Sequence, residues 1–356
     1  MTRDLAVTLA SLGHELDVVT MGFRGLPSRE QVAEGVQVYR VPCWRRQRHI
    51  CSTAEMVTFV APAVWRCLQL ARRRRYDVCH THFIFPSGVV ARKLAALTGL
   101  PYVITAHGSD VPGYNPDRFG LEHKLLLPLW RWVVAGASAV TFPSEFLRQL
   151  FLRSARRPPE LAVIPNGVDA AVFRPSGHEN KVLFAGRLLR RKGAHLLLEA
   201  LTGVSLPGWE VHIAGDGPMR AEVERLASLM QTPVVMHGWL AQDSPTFRQL
   251  WSEASIFAFP SLMENCPMVL LEAMASGMAV VAAATGGSPE VVGDAGILVD
   301  PDNPEALRQA IIGLAGDPAR RRALGDAARR RVEEHFAWPV VAKLYGELLG
   351  RVAGAR

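Results

Sequence analysis

Two carboxylates, Glu264 and Glu272, stand in the segment of this sequence that carries the most chemical information. They belong to residues 264–277, ENCPMVLLEAMASG, which follow the apolar run 255–259. Length and flanking residues predict a strand, a loop and a helix that begins at Pro267. A helix start presents free N–H groups and the positive end of its dipole, so the segment predicts an anion site, typically for a phosphate. An ordinary surface loop with a packed helix would give the same pattern.

Two cations, Arg187 and Lys192, follow the predicted strand 181–186. Gly186 and Arg187 end that strand, and Lys192 opens the next helix. A diphosphate suits such a pair, because Arg offers a planar fork of donors and Lys a compact charge. Either residue alone would be interpreted as a solvated basic side chain.

Glycine loops follow two further strands. Residues 214–218, AGDGP, place Gly215 and Asp216 where the chain can turn tightly or approach a ligand, and residues 285–292, TGGSPEVV, offer a second helix start. Each loop alone would be interpreted as only a turn. We expect the loops to contribute to a ligand site together, because all follow strands of one sheet.

His107 lies in AHGSD, after the predicted strand 101–105. A histidine at a strand end can donate to a reacting sugar or hold a leaving group, although a lone histidine is more often structural. We interpret His80, His82 and His237 as structural.

Several kinds of chemistry lack a motif. The chain contains no HExxH, DxD, Walker lysine loop or GxSxG, and its five cysteines show no zinc-like spacing. We expect no metal site, no disulfide framework and a reducing, cytoplasmic compartment.

The 356 residues alternate between strand and helix patterns, which predicts α/β domains with parallel sheets covered on both faces. A polar break at residues 175–178 separates two such series. Ligands of two Rossmann-like domains bind beyond the carboxyl ends of the strands, so we expect a cleft between the domains. The predicted strands are residues 16–21, 36–41, 76–82, 101–105, 139–142, 161–164, 181–186, 210–215, 234–238, 255–259, 278–283 and 296–299. The predicted helices include residues 2–12, 53–75, 86–97, 125–134, 145–152, 221–230, 304–314, 320–334 and 340–349.

The net charge of +7 is concentrated in the first half of the chain, at residues 44–49 and 72–75. The second cluster closes the amphipathic run 53–75. Basic residues beside aromatic ones suit an anionic membrane surface or an anionic acceptor, and a solvated arginine-rich face fits equally well. No apolar run is long enough to span a membrane, and we predict no secretion signal.

Taken in order, the motifs resemble those of glycosyltransferase family 4, retaining enzymes of the GT-B fold that use sugar nucleotides. The matching stretches, which cover nearly the whole chain, are YDVCHTH, ITAHGSD, IPNGVD, LFAGRLLRRKG, IAGDGP, FPSLMENCPMVLLEAMASG and TGGSPEVV. By this resemblance, Arg187 and Lys192 neutralise the donor diphosphate and Glu272 binds the ribose hydroxyls. Glu264, with the backbone N–H groups of Asn265 and Cys266, holds the donor sugar, and His107 lies against it. Gly186, Gly215 and Asp216 belong to the donor-binding set.

One departure from the family lies at the beginning of the chain. Family members start with a strand and a glycine-rich loop before the helix that here begins at Thr2. A misplaced start codon or a truncation would explain the difference. We therefore expect an acceptor-side domain of residues 1–175, lacking its first strand and joined by helix 338–356, and a donor domain of residues 176–337.

The resemblance implies metal-independent transfer from a nucleoside diphosphate sugar, with no cofactor, to a hydroxyl on a glycan, glycolipid or small molecule. It implies no nucleic-acid partner. Two alternatives stay open: a sugar-nucleotide-binding module or truncated inactive enzyme, and a GT-B sugar-nucleotide epimerase.

Overall fold

The chain folds into two compact units. The structure, a computed structural model, describes residues 1–47, 51–177 and 179–355, except for the side chains of residues 116–119 and 122. Unit 1 comprises residues 1–165 and 341–356, and unit 2 comprises residues 166–340. Arg48 and His49 of the predicted basic segment, and His178 of the predicted break, lie outside the described residues.

Unit 1 contains two small sheets. In the first, β1 (Leu16–Met21) pairs in parallel with β3 (Val36–Val41), and β2 (Arg29–Ala33) pairs with β3 in the antiparallel sense. In the second, four parallel strands pair in chain order: β4 (Cys79–His82), β5 (Tyr102–Thr105), β6 (Ala139–Phe142) and β7 (Glu160–Val163). Every residue of β5 and β6 is buried, as expected for strands covered on both faces.

The strand β2 was not among the predicted strands, and it adds an antiparallel pairing to an otherwise parallel sheet. Its sequence, REQVA, offers no apolar alternation, and its first three residues are exposed. Such an edge strand is held by its backbone bonds to β3 rather than by burial, so hydrophobic patterning does not detect it.

The helices of unit 1 begin close to where the sequence placed them, with one exception. The capping box of α2 explains its start, since Ser52 N donates to Glu55 Oε2 at 2.7 Å and the Ser52 side chain accepts from Glu55 N. The fourth helix begins at Pro116, earlier than the predicted residue 125, with proline in the first turn. The five helices are α1 (Thr2–Ser11), α2 (Thr53–Arg73), α3 (Ser87–Thr98), α4 (Pro116–Ala135) and α5 (Glu145–Leu152).

Unit 2 is built on one six-stranded parallel sheet. Its strands in chain order are β8 (Glu179–Ala185), β9 (Glu210–Ala214), β10 (Val234–Gly238), β11 (Ala254–Phe259), β12 (Ala279–Ala283) and β13 (Ile297–Val299). They pair in the order β10-β9-β8-β11-β12-β13. In this doubly wound order, the first and fourth strands, here β8 and β11, are parallel neighbours, and successive strands are added on opposite sides of this pair. The predicted Rossmann-like α/β architecture is confirmed.

Helices pack on this sheet. The predicted inward residues of the helix after β11, namely Leu270, Leu271, Met274 and Ala275, are completely buried. The helices are α6 (Ala194–Leu201), α7 (Arg220–Ala227), α8 (Pro245–Glu253), α9 (Met268–Ala275), α10 (Ser288–Val292), α11 (Pro304–Gly316), α12 (Pro318–His335) and α13 (Trp338–Gly354), and a 3₁₀ turn, Arg190–Lys192, precedes α6. Most of α13 belongs to unit 1, which begins again at residue 341.

The observed boundary lies before the polar break expected at residues 175–178. Val168 forms an isolated bridge with Ala337, and Arg329 Nη1 donates to the carbonyl oxygens of Phe173 and Ala275. These bonds attach residues 166–175 to unit 2. Of the helices in the described part of the chain, none is long and apolar enough to cross a bilayer.

Candidate functional site in the two units

The point where strand order reverses in unit 2 gathers several of the predicted residues. Strands β8 and β11 are neighbours, with Leu183 opposite Phe257. Gly186 and Arg187 directly follow β8, and Glu264 lies in the loop after β11. Because carboxyl ends of parallel strands meet at one edge of the sheet, these loops surround one crevice, the usual ligand position of doubly wound sheets.

Lys192 and Glu264 are bonded directly at this edge. Lys192 Nζ donates to Glu264 Oε1 at 2.5 Å, and Ser261 Oγ donates to the same oxygen at 2.6 Å. Glu264 is only 6% exposed, so its negative charge is balanced by an ammonium group and a hydroxyl rather than by bulk water. Lys192, Ser261 and Glu264 therefore form one hydrogen-bonded cluster at this edge of the sheet.

Two glycines allow the surrounding loops to approach this cluster. A Cβ on Gly286, whose φ is +56°, would lie 2.1 Å from Glu264 O. A Cβ on Gly193, whose φ is +80°, would lie 2.1 Å from Pro260 O. Only glycine permits both the left-handed backbone and the contact, so the two positions fix the loops that carry Lys192 and Glu264.

The loop after β9 packs beside the loop after β8. Gly186 N donates to Ala214 O at 2.9 Å, and Leu188 N donates to Asp216 O at 2.9 Å. These bonds bring Gly215 and Asp216 to the same edge as Gly186. The carboxylate of Asp216 accepts from Gly217 N at 2.7 Å and from Arg220 Nη1 at 3.3 Å, so it stabilises the turn in which it lies.

Asn265 and Cys266 are buried in the loop that leads into α9. Asn166 Nδ2 donates to Cys266 O at 2.8 Å and holds this loop from the IPNGVD segment. Burial raises the pKa of the Cys266 thiol to about 12, which keeps it protonated and unreactive.

Glu272 lies inside α9 and is 6% exposed. Gln242 Nε2 donates to Glu272 Oε1 at 2.8 Å. Burial raises the pKa of the Glu272 carboxyl to about 7, and the bond from Gln242 opposes that shift only partly. A ligand that donates hydrogen bonds to this group would stabilise its ionised form.

Unit 1 places His107 in a cluster of rings. His82 Nδ1 lies 3.0 Å from His107 Nε2, and the His107 ring lies 4.4 Å from the Phe83 ring, centroid to centroid. His80 stacks at an angle against His82, 4.6 Å away, and bonds Thr105 Oγ1 at 2.8 Å. His80, His82 and His107, for which the sequence predicted no common role, therefore form one group.

The histidines of this cluster are held neutral. Burial is the main cause that lowers the pKa of His107 to about 4 and of His82 to about 3, with neighbouring histidines adding to the shift. Burial also lowers the pKa of His80. Neutral imidazole has one donor and one acceptor nitrogen, so His107 can donate to a hydroxyl or accept from it, but does not carry charge near pH 7.

Asp110 shapes the loop that carries His107. Its Oδ1 accepts from His107 N and Gly108 N, at 2.9 and 3.0 Å, and its Oδ2 accepts from Ile84 N at 2.9 Å. Burial raises the pKa of Asp110, and the three amide bonds oppose that effect. The motif AHGSD suggested no role for Asp110, whereas in the structure its carboxylate fixes the backbone of that loop.

Sequence reasoning missed four contributors to these sites: Asn166, Gln242, Ser261 and His82. His80 and His82 alternate along β4 and so share one face of the strand, a signal that could have joined them to each other. The structure describes no group of three His, Cys, Asp or Glu placed to hold a metal ion within residues 1–47, 51–177 and 179–355.

These features define an α/β protein with Rossmann-like units, in which a lysine–glutamate pair lies beside a strand-order switch point. Profiles of two families match the sequence: "Glycosyl transferase 4-like domain" over residues 1–167 and "Glycosyl transferases group 1" over residues 179–317. Alpha-maltose-1-phosphate synthase of Mycolicibacterium smegmatis is 32% identical over 308 residues, 78% of this chain and 79% of that one. The chain belongs to the glycosyltransferases of this family 4 type.

Solved structures share the fold. Sucrose-phosphate synthase from Thermosynechococcus elongatus matches with a TM-score of 0.83 at 24% identity, over 100% of this chain and 93% of that one. Anabaena HepE in complex with UDP-glucose matches with a TM-score of 0.69 at 21% identity, over 88% and 86%. The fold is GT-B, as the resemblance implied, and the protein is a glycosyltransferase.

Proposed function

We propose that this glycosyltransferase moves a sugar from a nucleoside diphosphate sugar to a hydroxyl acceptor and retains the anomeric configuration. The observation that carries the proposal is the bond between Lys192 and Glu264 at the β8–β11 switch point. It joins a cation suited to a diphosphate and a carboxylate suited to sugar hydroxyls in one crevice. The UDP-glucose bound by HepE, a protein of the same fold, supports this class of donor.

The diphosphate would bind between Arg187 and Lys192. Arg187 is exposed at the end of β8, and Lys192 ends the 3₁₀ turn before α6. On donor binding, Lys192 would share its three donors between Glu264 and a phosphate oxygen. The fixed cations then stabilise the charge that builds on the leaving diphosphate, the role that a metal ion has in other transferases. We therefore propose metal-independent transfer without a cofactor.

The remaining residues would position the donor. Glu272 would accept hydrogen bonds from the ribose hydroxyls in place of the one from Gln242. Glu264 and the N–H groups of Asn265 and Cys266 would hold the sugar, with Gly186, Gly215 and Asp216 lining the nucleotide. His107, neutral in its cluster, would bond a sugar hydroxyl near the reacting carbon.

The reaction exchanges one C–O bond for another. The bond from the anomeric carbon to the diphosphate breaks, and its electron pair goes to the leaving oxygen. The acceptor hydroxyl attacks the same face of the anomeric carbon, and its proton passes to the departing diphosphate oxygen. Retention follows from attack on the face that the diphosphate leaves.

The enzyme would act while bound to an anionic membrane surface. Val57, Ala61 and Trp65 recur at helical spacing on the exposed side of α2, and Trp65 is 61% exposed. Exposed arginines follow at residues 72–75, and Trp44 is 52% exposed beside Arg45 and Arg46. An apolar stripe next to basic residues is typical of helices that lie on anionic lipid. The five free thiols support a reducing, cytoplasmic setting.

A release assay tests the proposed reaction. We would incubate the protein with UDP-, GDP- and ADP-sugars and measure the nucleoside diphosphate set free, with and without EDTA. We expect one donor to be consumed at equal rates in both conditions, and Lys192→Ala to abolish release. Loss of activity in EDTA that magnesium restores would contradict metal independence.

The same assay separates the alternatives. A binding module would bind the donor without releasing nucleotide, and an epimerase would change the sugar while the diphosphate stays attached. Either result would overturn the proposed transfer.

A further inference from the structure

His82 and His107, which lie at the ends of two neighbouring strands of unit 1, are joined by a bond that the proposed transfer does not yet use. His82 is the last residue of β4, and His107 follows the end of β5 by two positions. His82 Nδ1 lies 3.0 Å from His107 Nε2, and the planes of the two rings differ by 29°. This distance is that of an ordinary hydrogen bond between ring nitrogens. The two histidines are therefore bonded to each other directly.

The backbone around His107 is held by other groups. Asp110 Oδ1 accepts from His107 N and Gly108 N, and Asp110 Oδ2 accepts from Ile84 N. None of these three bonds involves the His82 side chain. Loss of the His82 imidazole should therefore leave the loop in place and change the orientation of the His107 ring.

The ring of His82 is itself supported. It packs against His80, with the ring centroids 4.6 Å apart. His80 Nε2 bonds Thr105 Oγ1 at 2.8 Å, and Thr105 Oγ1 bonds Thr141 Oγ1 at 2.7 Å. Both threonines are buried. Because packing and a bonded, buried group restrict a side chain to few orientations, His82 can present Nδ1 to His107 in a constant direction.

The bond links the protonation of the two rings. Both are neutral near pH 7, because burial lowers the pKa of His82 to about 3 and that of His107 to about 4. One proton lies between two bonded neutral imidazoles, so the ring that accepts it must carry its own proton on its other nitrogen. Whichever ring donates, Nε2 of His107 is engaged by His82, and the bond couples the tautomer of His107 to that of His82.

We propose that His82 is a positioning residue for sugar transfer, which fixes the ring orientation and the tautomer that His107 presents to the donor sugar. The inference rests on the proposed function, in which His107 bonds a sugar hydroxyl near the reacting carbon. His82 acts through His107 rather than on the substrate. Its loss should therefore slow the reaction more than it weakens donor binding.

A series of substitutions at His82 tests the proposal in the release assay. Asparagine places an amide atom close to the position of Nδ1, glutamine carries the same amide one carbon farther out, and leucine has no polar side-chain atom. We expect His82→Asn to keep kcat within about threefold of wild type, and His82→Gln and His82→Leu to lower kcat at least about tenfold with little change in the KM of the donor. Equal kcat in the three folded variants would overturn the proposal, because the bond to His107 would then not distinguish them.

Nitrogen NMR of the histidine rings measures the bond without any donor. Near neutral pH, long-range proton–nitrogen spectra show which nitrogen of His107 carries the proton. We expect a single tautomer in wild type and in His82→Asn, and a mixture of two tautomers in His82→Leu and His82→Gln, because the bond that selects one is absent. Two variants without the bond keep the test valid if one fails to fold. The same single tautomer in a folded His82→Leu or His82→Gln would overturn the proposal.

His237 of unit 2 offers a matched control. Its Nε2 lies 2.9 Å from His212 Nδ1, with ring centroids 5.1 Å apart, and it is half-buried like His82. We expect His237→Leu to keep kcat within about threefold of wild type. A loss equal to that of His82→Leu would show that disruption of any histidine pair slows the enzyme, and would overturn the proposal.

The outcomes separate this inference from the proposed function. A wild-type protein that cleaves no sugar nucleotide would contradict the proposed function, and the inference with it. Cleavage of a donor by wild-type protein at a rate that His82→Leu retains would contradict the inference alone.

Discussion

Lys192 Nζ and Glu264 Oε1 are 2.5 Å apart although 72 residues separate them in the sequence. The bond unites the loop after β8 with the loop after β11. Each partner is constrained: Lys192 precedes Gly193, whose backbone approaches Pro260 O, and Glu264 also accepts from Ser261 Oγ at 2.6 Å. The carboxylate of Glu264 is therefore bonded to the ammonium group that we propose as a ligand of the diphosphate.

The bond between Lys192 and Glu264 predicts that substitutions of the two residues change nucleotide binding in opposite directions. Glu264→Gln removes the charge that holds Lys192, so we expect equal or tighter binding of the nucleoside diphosphate, together with transfer slowed by about 100-fold or more because the sugar loses its carboxylate. Lys192→Ala should weaken nucleotide binding. Calorimetry and the release assay measure both effects. Weaker nucleotide binding in Glu264→Gln would show that the carboxylate supports the diphosphate site rather than competing for its cation.

Glu272 predicts a pH dependence of stability. Its pKa is about 7 in the folded protein, against a usual 4.5, so the folded state binds a proton that the unfolded state releases between these values. The contribution of Glu272 to the free energy of unfolding should therefore be greatest below pH 4.5 and should fall as pH rises toward 7. Glu272→Gln does not titrate and still accepts from Gln242. We expect it to match wild type at pH 4 and to be more stable at pH 8 by up to about 3 kcal/mol.

Chemical denaturation at both pH values measures this difference. The same variant should bind the nucleoside diphosphate more weakly by about 1.5–3 kcal/mol, because a neutral amide replaces the charged acceptor of the ribose hydroxyls. Parallel pH profiles of stability for the two proteins would contradict the raised pKa of Glu272. Unchanged nucleotide affinity would contradict its proposed role in binding the ribose hydroxyls.

The histidine cluster predicts acid sensitivity of unit 1. The pKa of His107 is lowered to about 4 and that of His82 to about 3, from an ordinary 6.5. Their stabilisation is complete above pH 6.5 and declines as pH falls toward 4, by at most about 1.4 kcal/mol per histidine and pH unit. His82→Gln should reduce that slope. Amide hydrogen exchange in β4 and β5 at pH 6.5 and 4.5 is the measurement, and an equal slope in both proteins would contradict the assignment.

The basic end of α2 predicts salt-dependent binding to lipid. Arg74 pairs with Glu15, so the informative variant changes Arg72, Arg73 and Arg75 to glutamine. At about 1 kcal/mol per basic residue near an anionic surface, sedimentation with phosphatidylserine vesicles should drop sharply at low salt. A matched control changes three exposed arginines of α12 in unit 2: Arg320, Arg322 and Arg330. Equal loss in the two variants, or no vesicle binding by any protein, would leave residues 72–75 as a solvated face.

Hydrophobic patterning was sufficient to predict most of the strands and helices of the fold. The strands at residues 16–21, 36–41, 139–142 and 234–238 were predicted with their observed bounds, because β-branched and apolar residues dominate them. The edge strand β2 was missed because three of its residues are polar and exposed. The early start of α4 was missed because the apolar run begins well after Pro116.

The site was predictable in its parts but not in its pairings. Gly186, Gly215 and Glu264 each follow a predicted strand of one sheet, and this placed them at one edge, since parallel strands share a carboxyl end. Gln242 lies in no motif, and Asn166 lies in the IPNGVD stretch without an assigned role, because the direction of each polar side chain depends on tertiary packing. The neutral state of His107 also depends on burial beside His82, which comes from another strand.

Proton NMR of the sugar released from the active donor, recorded before the anomers interconvert, tests whether the enzyme transfers sugar with retention. With water as acceptor, both bond cleavage at the anomeric carbon and the configuration of the product are read in one spectrum. We expect wild-type protein to release a sugar with the donor's own anomeric configuration and Lys192→Ala to release none. A product of inverted configuration, or no cleavage of any sugar nucleotide, would contradict it.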